Sequence, residues 1–166
     1  MQNTNFNAVQ QYLKSLVTAS TFLNDFTGIF SRDFFTKKDS FAGLTSPMLI
    51  MFQYELGHES NGQNVLAVRK IGFSIMFNNV AADDIPAQYE AISQAEILAN
   101  KVLARIRHDS NDRDHVFYNS YLPETVQILP VELNADNFGV DVFFSLKNAQ
   151  NMKVELTDWS DITSLC

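Results

Sequence analysis

Hydrophobic and polar positions recur along this chain with two different periods, which predict two helices and two β-hairpins. In 6–26, apolar residues recur every three or four positions, as they do on one face of an amphipathic helix. Segments 47–56 and 65–77 instead alternate with a period of two and are joined by a polar loop at 57–62. These two segments therefore predict a first hairpin.

The second strand of this hairpin predicts a sheet that is covered on both sides. Ile71, Phe73 and Ile75 are expected on one face, and Arg69 on the opposite, partly polar face, near Gly72. Both strands carry apolar residues on both faces over part of their length. This pattern predicts a helix on one side of the sheet and another structure on the other.

A second helix is predicted to begin after Asp83 and Asp84 and to end near Arg107. A carboxylate followed by the proline of Ile85-Pro86 is typical of a helix start. Small residues share one stripe of this helix, which lets it lie close against a sheet: Ala91, Ala95 and Ala99. A charged loop is expected over 108–119.

The second hairpin is predicted from strands at 125–133 and 140–146. Its structural turn is assigned to Asp136, Asn137 and Gly139, residue types that tolerate a positive φ. Pro130 places the first of these strands at a sheet edge or a bulge, because proline cannot donate to the ladder.

These elements predict an α+β fold. An antiparallel sheet of two hairpins packs against two amphipathic helices, in the order helix, hairpin, helix, hairpin. At 166 residues the chain suits one domain, which we place at 1–146, with a polar C-terminal tail or arm at 147–166.

Aromatic residues are more abundant than this small fold requires. The chain has 14 phenylalanines and a single tryptophan. We therefore expect Phe34, Phe35 and Phe41, in the polar connection 31–46, and Trp159, in the tail, to be intersubunit contacts. The alternative is that the connection and the tail fold back on their own domain.

Charge and cysteine content exclude several classes of function. A net charge of −7 argues against a uniformly basic nucleic-acid groove. The one cysteine, Cys166, allows neither a disulfide framework nor a cysteine-based metal site within one chain. The N-terminal residues lack the layout of a signal peptide, and no apolar run reaches membrane-spanning length, so a cytoplasmic protein is expected.

No residue cluster has the spacing of a catalytic or metal site. Asp109, Asp112 and Asp114, between His108 and His115, suggest a divalent-cation loop, but Arg113 takes a ligand position of the calcium pattern and no glycine follows. A solvated loop is the better interpretation.

At the tip of the first hairpin, His58 and Glu59 lack a second positioned group that a general base would need. We therefore predict no enzyme activity, no catalytic residues, no cofactor and no metal ligands.

The element order, together with residues 136–144 (DNFGVDVFF), resembles the small tail-terminator and head–tail joining (neck) proteins of tailed bacteriophages. The resemblance spans roughly 6–146. It implies a structural virion component that forms a closed ring, typically a hexamer, capping the tail tube and connecting it to the neck. The implied partners are further copies of the chain, tail-tube and neck or connector proteins, and genomic DNA that passes through the lumen without sequence-specific binding.

The same resemblance implies a location in the virion tail or neck after assembly in the host cytoplasm, without a membrane. Two other classes stay open from the residues alone. One is a small soluble ligand- or protein-binding module without catalytic activity. The other is an enzyme that uses the loop between His108 and His115.

Overall fold

The structure is a computed structural model that describes residues 4–28, 44–60, 65–150, 152 and 154–161. Its helices and strands confirm the predicted α+β class. In chain order the elements are α1 (Phe6–Ala19), β1 (Asp25–Gly28), β2 (Met48–Ser60), β3 (Val65–Phe77), α2 (Ile85–Asn111), β4 (Tyr121–Asn134), β5 (Asn137–Gln150) and a 3-10 helix (Leu156–Asp158).

All five strands form one sheet in the order β1-β2-β3-β5-β4. β1 is parallel to β2, whereas every other neighbouring pair is antiparallel. The sheet is therefore mixed, and the prediction of a purely antiparallel sheet is corrected by the extra strand β1. β4 lies at an edge, as Pro130 predicted.

The first helix is shorter than its hydrophobic spacing predicted. α1 ends at Ala19, and the Ser20 hydroxyl then donates to the Val17 carbonyl (2.9 Å) and accepts from the Leu23 backbone N–H (3.0 Å). Phe26 fits the helical spacing but lies in β1, where it pairs with Leu49. Pairing with β2 provides backbone hydrogen bonds that replace the helical ones.

Both helices cover the same face of the sheet. The side chains that α1 and α2 bury belong to one core cluster with alternate residues of β2, β3 and β5. Ala95 and Ala99 of α2 are fully buried, so their small side chains allow the predicted close approach of helix and sheet. The central members of this core are Leu13, Leu49, Met51, Phe73, Ile75, Ala95, Ala99 and Val142.

The opposite face of the sheet carries apolar side chains but, among the described residues, no helix. Ile50 and Met76 are buried there in a second, smaller cluster. Near them the half-buried rings of Phe52 and Phe143 meet edge to face, with centroids 5.4 Å apart. A register shift after Met51 places the Phe52 ring over β3. We call this surface the helix-free face.

The turn of the second hairpin lies earlier than predicted. Asn134 pairs with Asn137, so the turn is Ala135 and Asp136, and Asn137 and Gly139 belong to β5. Only Asp136 of the three predicted turn residues is therefore in the turn.

Gly139 instead allows β5 to lie close to β3. A Cβ atom at this position would lie 2.0 Å from the Ile75 carbonyl oxygen and 2.9 Å from the Met76 sulfur. The absence of a side chain lets β5 lie against β3 at this point, so the residue type is explained by packing rather than by a positive φ.

Several boundaries also extend beyond the predicted ones. β2 continues through Gly57, His58 and Glu59, which were expected in the hairpin loop. α2 continues to Asn111, and β5 continues to Gln150. The predicted boundary between domain and tail, at 146/147, therefore falls inside β5. No helix in the described part of the chain combines the length and the hydrophobicity needed to cross a membrane.

We expect Gly139→Ala to lower the free energy of unfolding by about 3 kcal/mol, at the upper end of overpacking substitutions. The added methyl group would meet backbone atoms of Ile75, which cannot move without disturbing β3. Gly57→Ala is the matched control, because its nearest atom is 3.9 Å away. Urea unfolding of both variants checks this, and an equal, small effect of the two would contradict it.

Candidate functional site

The polar cluster predicted as one solvated loop is divided between a helix and a loop. α2 runs to Asn111, so His108 and Asp109 lie on its last turn, and the loop begins at Asp112. His108 is exposed, as expected, but Asp109 is only 5% exposed. The prediction of a solvated Asp109 is therefore wrong, because the longer helix turns its side chain inward.

Asp109 joins the two helices through a small hydrogen-bond network. The Tyr12 hydroxyl, on α1, donates to Oδ2 of Asp109 over 2.9 Å. Nε of Arg105 donates to Oδ1 over 2.7 Å, and Nδ1 of His108 lies 3.2 Å from the same oxygen. A buried carboxylate that accepts several hydrogen bonds in this way links α1 to the end of α2.

The network fixes the protonation of both buried groups. Burial raises the pKa of Asp109, but hydrogen bonds from Arg105, Tyr12 and His108 outweigh it and hold that pKa below its usual value. Burial, followed by the hydrogen bond to Asp109, raises the pKa of Tyr12. At neutral pH Tyr12 therefore donates and Asp109 accepts, so the pair acts as a structural link rather than as a proton-transfer group.

The loop after α2 is ordered by local contacts. The Asp112 carboxylate accepts from the Asp114 backbone N–H (3.0 Å), and Nδ1 of His115 accepts from the Phe117 N–H (3.2 Å). The His115 ring also meets the Tyr12 ring at a centroid distance of 5.3 Å. Within the described residues, no three His, Cys, Asp or Glu side chains are grouped so that they could hold a metal ion.

Arg69 lies on the helix-covered face, so the prediction that it lies on the opposite face is wrong. Side chains two apart in a strand share a face, so Arg69 shares the face of Ile71. It is 1% exposed.

The Arg69 guanidinium donates to the carbonyl of Thr4, just before α1, and to side-chain oxygens of Asn148 and Gln150 in β5. All three acceptors are uncharged. This buried cation therefore ties the segment before α1 to β3 and to the end of β5.

Asp141 is an ionisable group on the helix-free face, whereas Arg69 lies on the helix-covered face. It lies opposite Ser74, whose hydroxyl donates to Oδ1 of Asp141. Burial raises the pKa of Asp141, and the hydrogen bond from Ser74 lowers it by less. A half-buried carboxyl group thus lies on the helix-free face of the sheet, on the same side as Ile50 and Met76.

Of the four residues predicted to contact other subunits, only Trp159 belongs to the described part of the chain. Phe34, Phe35 and Phe41 lie outside the described residues, as does Cys166. Trp159 directly follows the 3-10 helix and is 55% exposed. The prediction that these four aromatic residues contact other subunits stays a prediction.

The first hairpin also presents charged side chains away from the core. His58 and Glu59 are exposed at the end of β2. Oε2 of Glu59 is 2.6 Å from Nζ of Lys147 in β5. Glu59 is thus engaged in a surface ion pair, which is a structural role.

The C-terminal segment, residues 152 and 154–161, exposes an unusual amount of apolar surface. Four large hydrophobic side chains among these nine described positions are at least 40% exposed: Met152, Val154, Leu156 and Trp159. The protomer therefore leaves much of the apolar surface of this segment in contact with solvent. Such surface on a folded chain is characteristic of contact with another molecule.

Sequence reasoning identified Trp159 as notable but missed the link between Tyr12 and Asp109. These residues are 97 positions apart, so no local pattern joins them. The available signals were weak: Tyr12 lies in the apolar stripe of α1, and Asp109 follows Arg105 by four positions.

Compared with known proteins, the chain matches no family model and no curated protein. Function is therefore inferred from the surfaces described above.

We expect Asp109→Asn to lower the free energy of unfolding at pH 7 by about 1–3 kcal/mol, because a buried charge-assisted network loses its anion. The folded-state pKa of Asp109 is lowered, so its contribution is complete above the unfolded pKa of about 3.9. It is lost as the pH falls through the folded-state value. The difference between wild type and variant therefore shrinks in strong acid.

Urea unfolding as a function of pH measures this difference. The control is Asp83→Asn, which removes an exposed carboxylate before α2. A constant difference between wild type and Asp109→Asn from neutral to strongly acidic pH would show that the carboxylate charge is not the stabilising group.

We expect Asp141→Asn to raise the free energy of unfolding at neutral pH, whereas Asp109→Asn lowers it. Because burial raises the folded-state pKa of Asp141, ionisation opposes folding, and its contribution is most favourable below the unfolded pKa. We expect the variant to gain about 0.5–1 kcal/mol at pH 7 and to lose this advantage in acid. Thermal unfolding at neutral and acidic pH tests it, and a destabilised variant at pH 7 is the contrary result.

Proposed function

We propose that this chain is a structural, ring-forming component of a tailed-phage virion, a tail terminator or head–tail joining protein. Its copies assemble into a closed ring, typically a hexamer, that caps the tail tube and connects it to the neck. The observation that carries this proposal is the exposed apolar side chains of the C-terminal segment, Trp159 above all. Apolar surface of this kind supports assembly rather than catalysis.

The arrangement of the sheet also supports assembly. Both helices lie on one face, and the helix-free face presents the half-buried rings of Phe52 and Phe143. Apart from the added strand β1, the chain order is consistent with the helix, hairpin, helix, hairpin order that the resemblance to terminators and neck proteins implies. A ring requires two different surfaces on each copy, because a head-to-tail interface closes only when unlike surfaces meet.

The net charge supports a lumen through which DNA passes without being bound. The net charge of −7 disfavours the counterion release that drives phosphate binding. Residues that line a lumen can thus let DNA pass without gripping it. The proposed partners are therefore other copies of this chain and the tail-tube and neck proteins, with DNA as cargo and not as a bound ligand.

The polar cluster at the end of α2 supports a structural role. Asp109 links α1 to α2 through its hydrogen bond from Tyr12. Neither the phenol nor the carboxylate is positioned to exchange a proton at neutral pH, as the directions of their pKa shifts indicate.

We expect the purified chain to form closed rings as its concentration rises, visible by negative-stain electron microscopy and by a discrete oligomer mass in light scattering. DNA added at physiological salt should not change its sedimentation. Co-purification with the proteins encoded beside it, including a tube-forming protein, is the second measurement.

A chain that stays monomeric, both alone and with those neighbouring proteins, would contradict the proposal. That result would favour the small ligand- or protein-binding module. Strong, salt-dependent DNA binding would contradict the passive role of the lumen.

A further inference from the structure

The C-terminal segment combines two exposed apolar anchors with negative charge. Leu156 and Trp159 lie three positions apart across the 3-10 helix, where the Trp159 N–H closes the turn on the Leu156 carbonyl. Residues 154–161 also include three carboxylates and no basic residue: Glu155, Asp158 and Asp161. A surface that receives this segment must therefore offer apolar contact together with positive charge.

The outer side of α2 offers that combination. From Ile97 to His108 the helix carries Lys101, Arg105 and Arg107 and no carboxylate, and of these cations Arg105 donates to Asp109, just beyond this stretch. Ile97 is 47% exposed, and Lys101 and Arg105 follow it at steps of four, so the three side chains lie along one exposed stripe.

Beside this stripe lies Phe22, half-buried after the end of α1. Nζ of Lys101 is 5.2 Å from the centroid of its ring. Ile97, Lys101 and Phe22 thus form a basic, partly apolar surface, which we call the Lys101 patch.

The Lys101 patch and the start of the C-terminal segment lie at opposite ends of α1. The segment leaves the sheet after Gln150, beside Arg69, which binds the Thr4 carbonyl just before α1. Phe22 follows the other end of this 14-residue helix, about 21 Å away at 1.5 Å per residue. Two unlike, complementary surfaces on one protomer suit head-to-tail contact between copies.

We propose that the C-terminal segment of one copy docks on the Lys101 patch of the next copy. Leu156 and Trp159 pack against Ile97 and Phe22, while Asp158 and its neighbouring carboxylates face Lys101. This contact rests on the ring-forming function proposed above and identifies one of the interfaces that closes the ring. The occupant of the patch is a second copy of this chain.

Trp159 is the only tryptophan, so its fluorescence reports on the contact directly. In the protomer the ring is half exposed, and emission should be typical of a hydrated indole and accessible to acrylamide. As the full-length chain assembles, emission should move to shorter wavelength and quenching by acrylamide should fall severalfold. Added salt should reverse part of the change, because the rim contacts are ionic.

Substitutions test which surface receives the indole side chain of Trp159. Trp159→Ala should weaken self-association by about thirtyfold, the loss expected for a central tryptophan anchor. Lys101→Glu should weaken it by about tenfold, because it places an acidic side chain opposite the acidic segment. The double variant with Lys101→Glu and Asp158→Lys should recover most of that loss.

Arg113→Glu is the matched control, since it makes the same change of charge at an exposed loop position away from the patch. It should leave assembly unchanged. Circular dichroism of each variant establishes that it is folded before its self-association is measured by light scattering.

The outcomes separate this inference from the proposed function. Rings in which Trp159 remains fully quenchable, or in which Lys101→Glu and Arg113→Glu behave alike, overturn the docking contact and leave the ring in place. A chain that forms no oligomer under any condition overturns the proposed function and this contact together. Recovery in the charge-swapped double variant supports the contact.

Discussion

The pairing of β3 with β5 holds this fold together. The two strands run antiparallel along their whole length, from Val65 opposite Gln150 to Phe77 opposite Phe138. Each strand belongs to a different hairpin, so this ladder joins the two halves of the chain. It also explains why a glycine stands at position 139, where the backbone of Ile75 leaves no room for a Cβ atom.

Covering one face of that sheet with both helices has consequences for the rest of the molecule. It places most of the largest buried side chains on one side, and it allows a single carboxylate, Asp109, to bridge α1 and α2 through Tyr12. It also leaves the helix-free face with aromatic rings and the half-buried Asp141. The two faces of the sheet therefore differ, with the main core under the helices and a smaller buried cluster beside half-buried rings on the other face.

The proposed ring and the docking of the C-terminal segment use apolar side chains that the protomer does not bury in its own core. Here the C-terminal segment exposes Leu156 and Trp159. Lys101, on the basic stripe of α2, lies over the Phe22 ring after the end of α1. Two unlike surfaces on each copy are what a closed head-to-tail assembly requires.

Local patterns in the sequence determined most of the secondary structure. A period of two placed β3 with its observed bounds, the acidic N-cap and the following proline located the start of α2, and Pro130 indicated an edge strand. Each of these signals arises within a few residues, where the intrinsic geometry of the backbone decides the outcome.

The tertiary structure alone decided the remainder. Phe26 has helical spacing but lies in β1, because Asp25–Gly28 gains backbone partners from β2, which is distant in sequence. Gly139 looked like a turn residue, yet its role depends on Ile75 across the sheet. Tyr12 and Asp109 meet only after two helices pack together. A single sequence determines what each segment prefers locally, but partners far apart in the chain are chosen by the packing of the whole molecule.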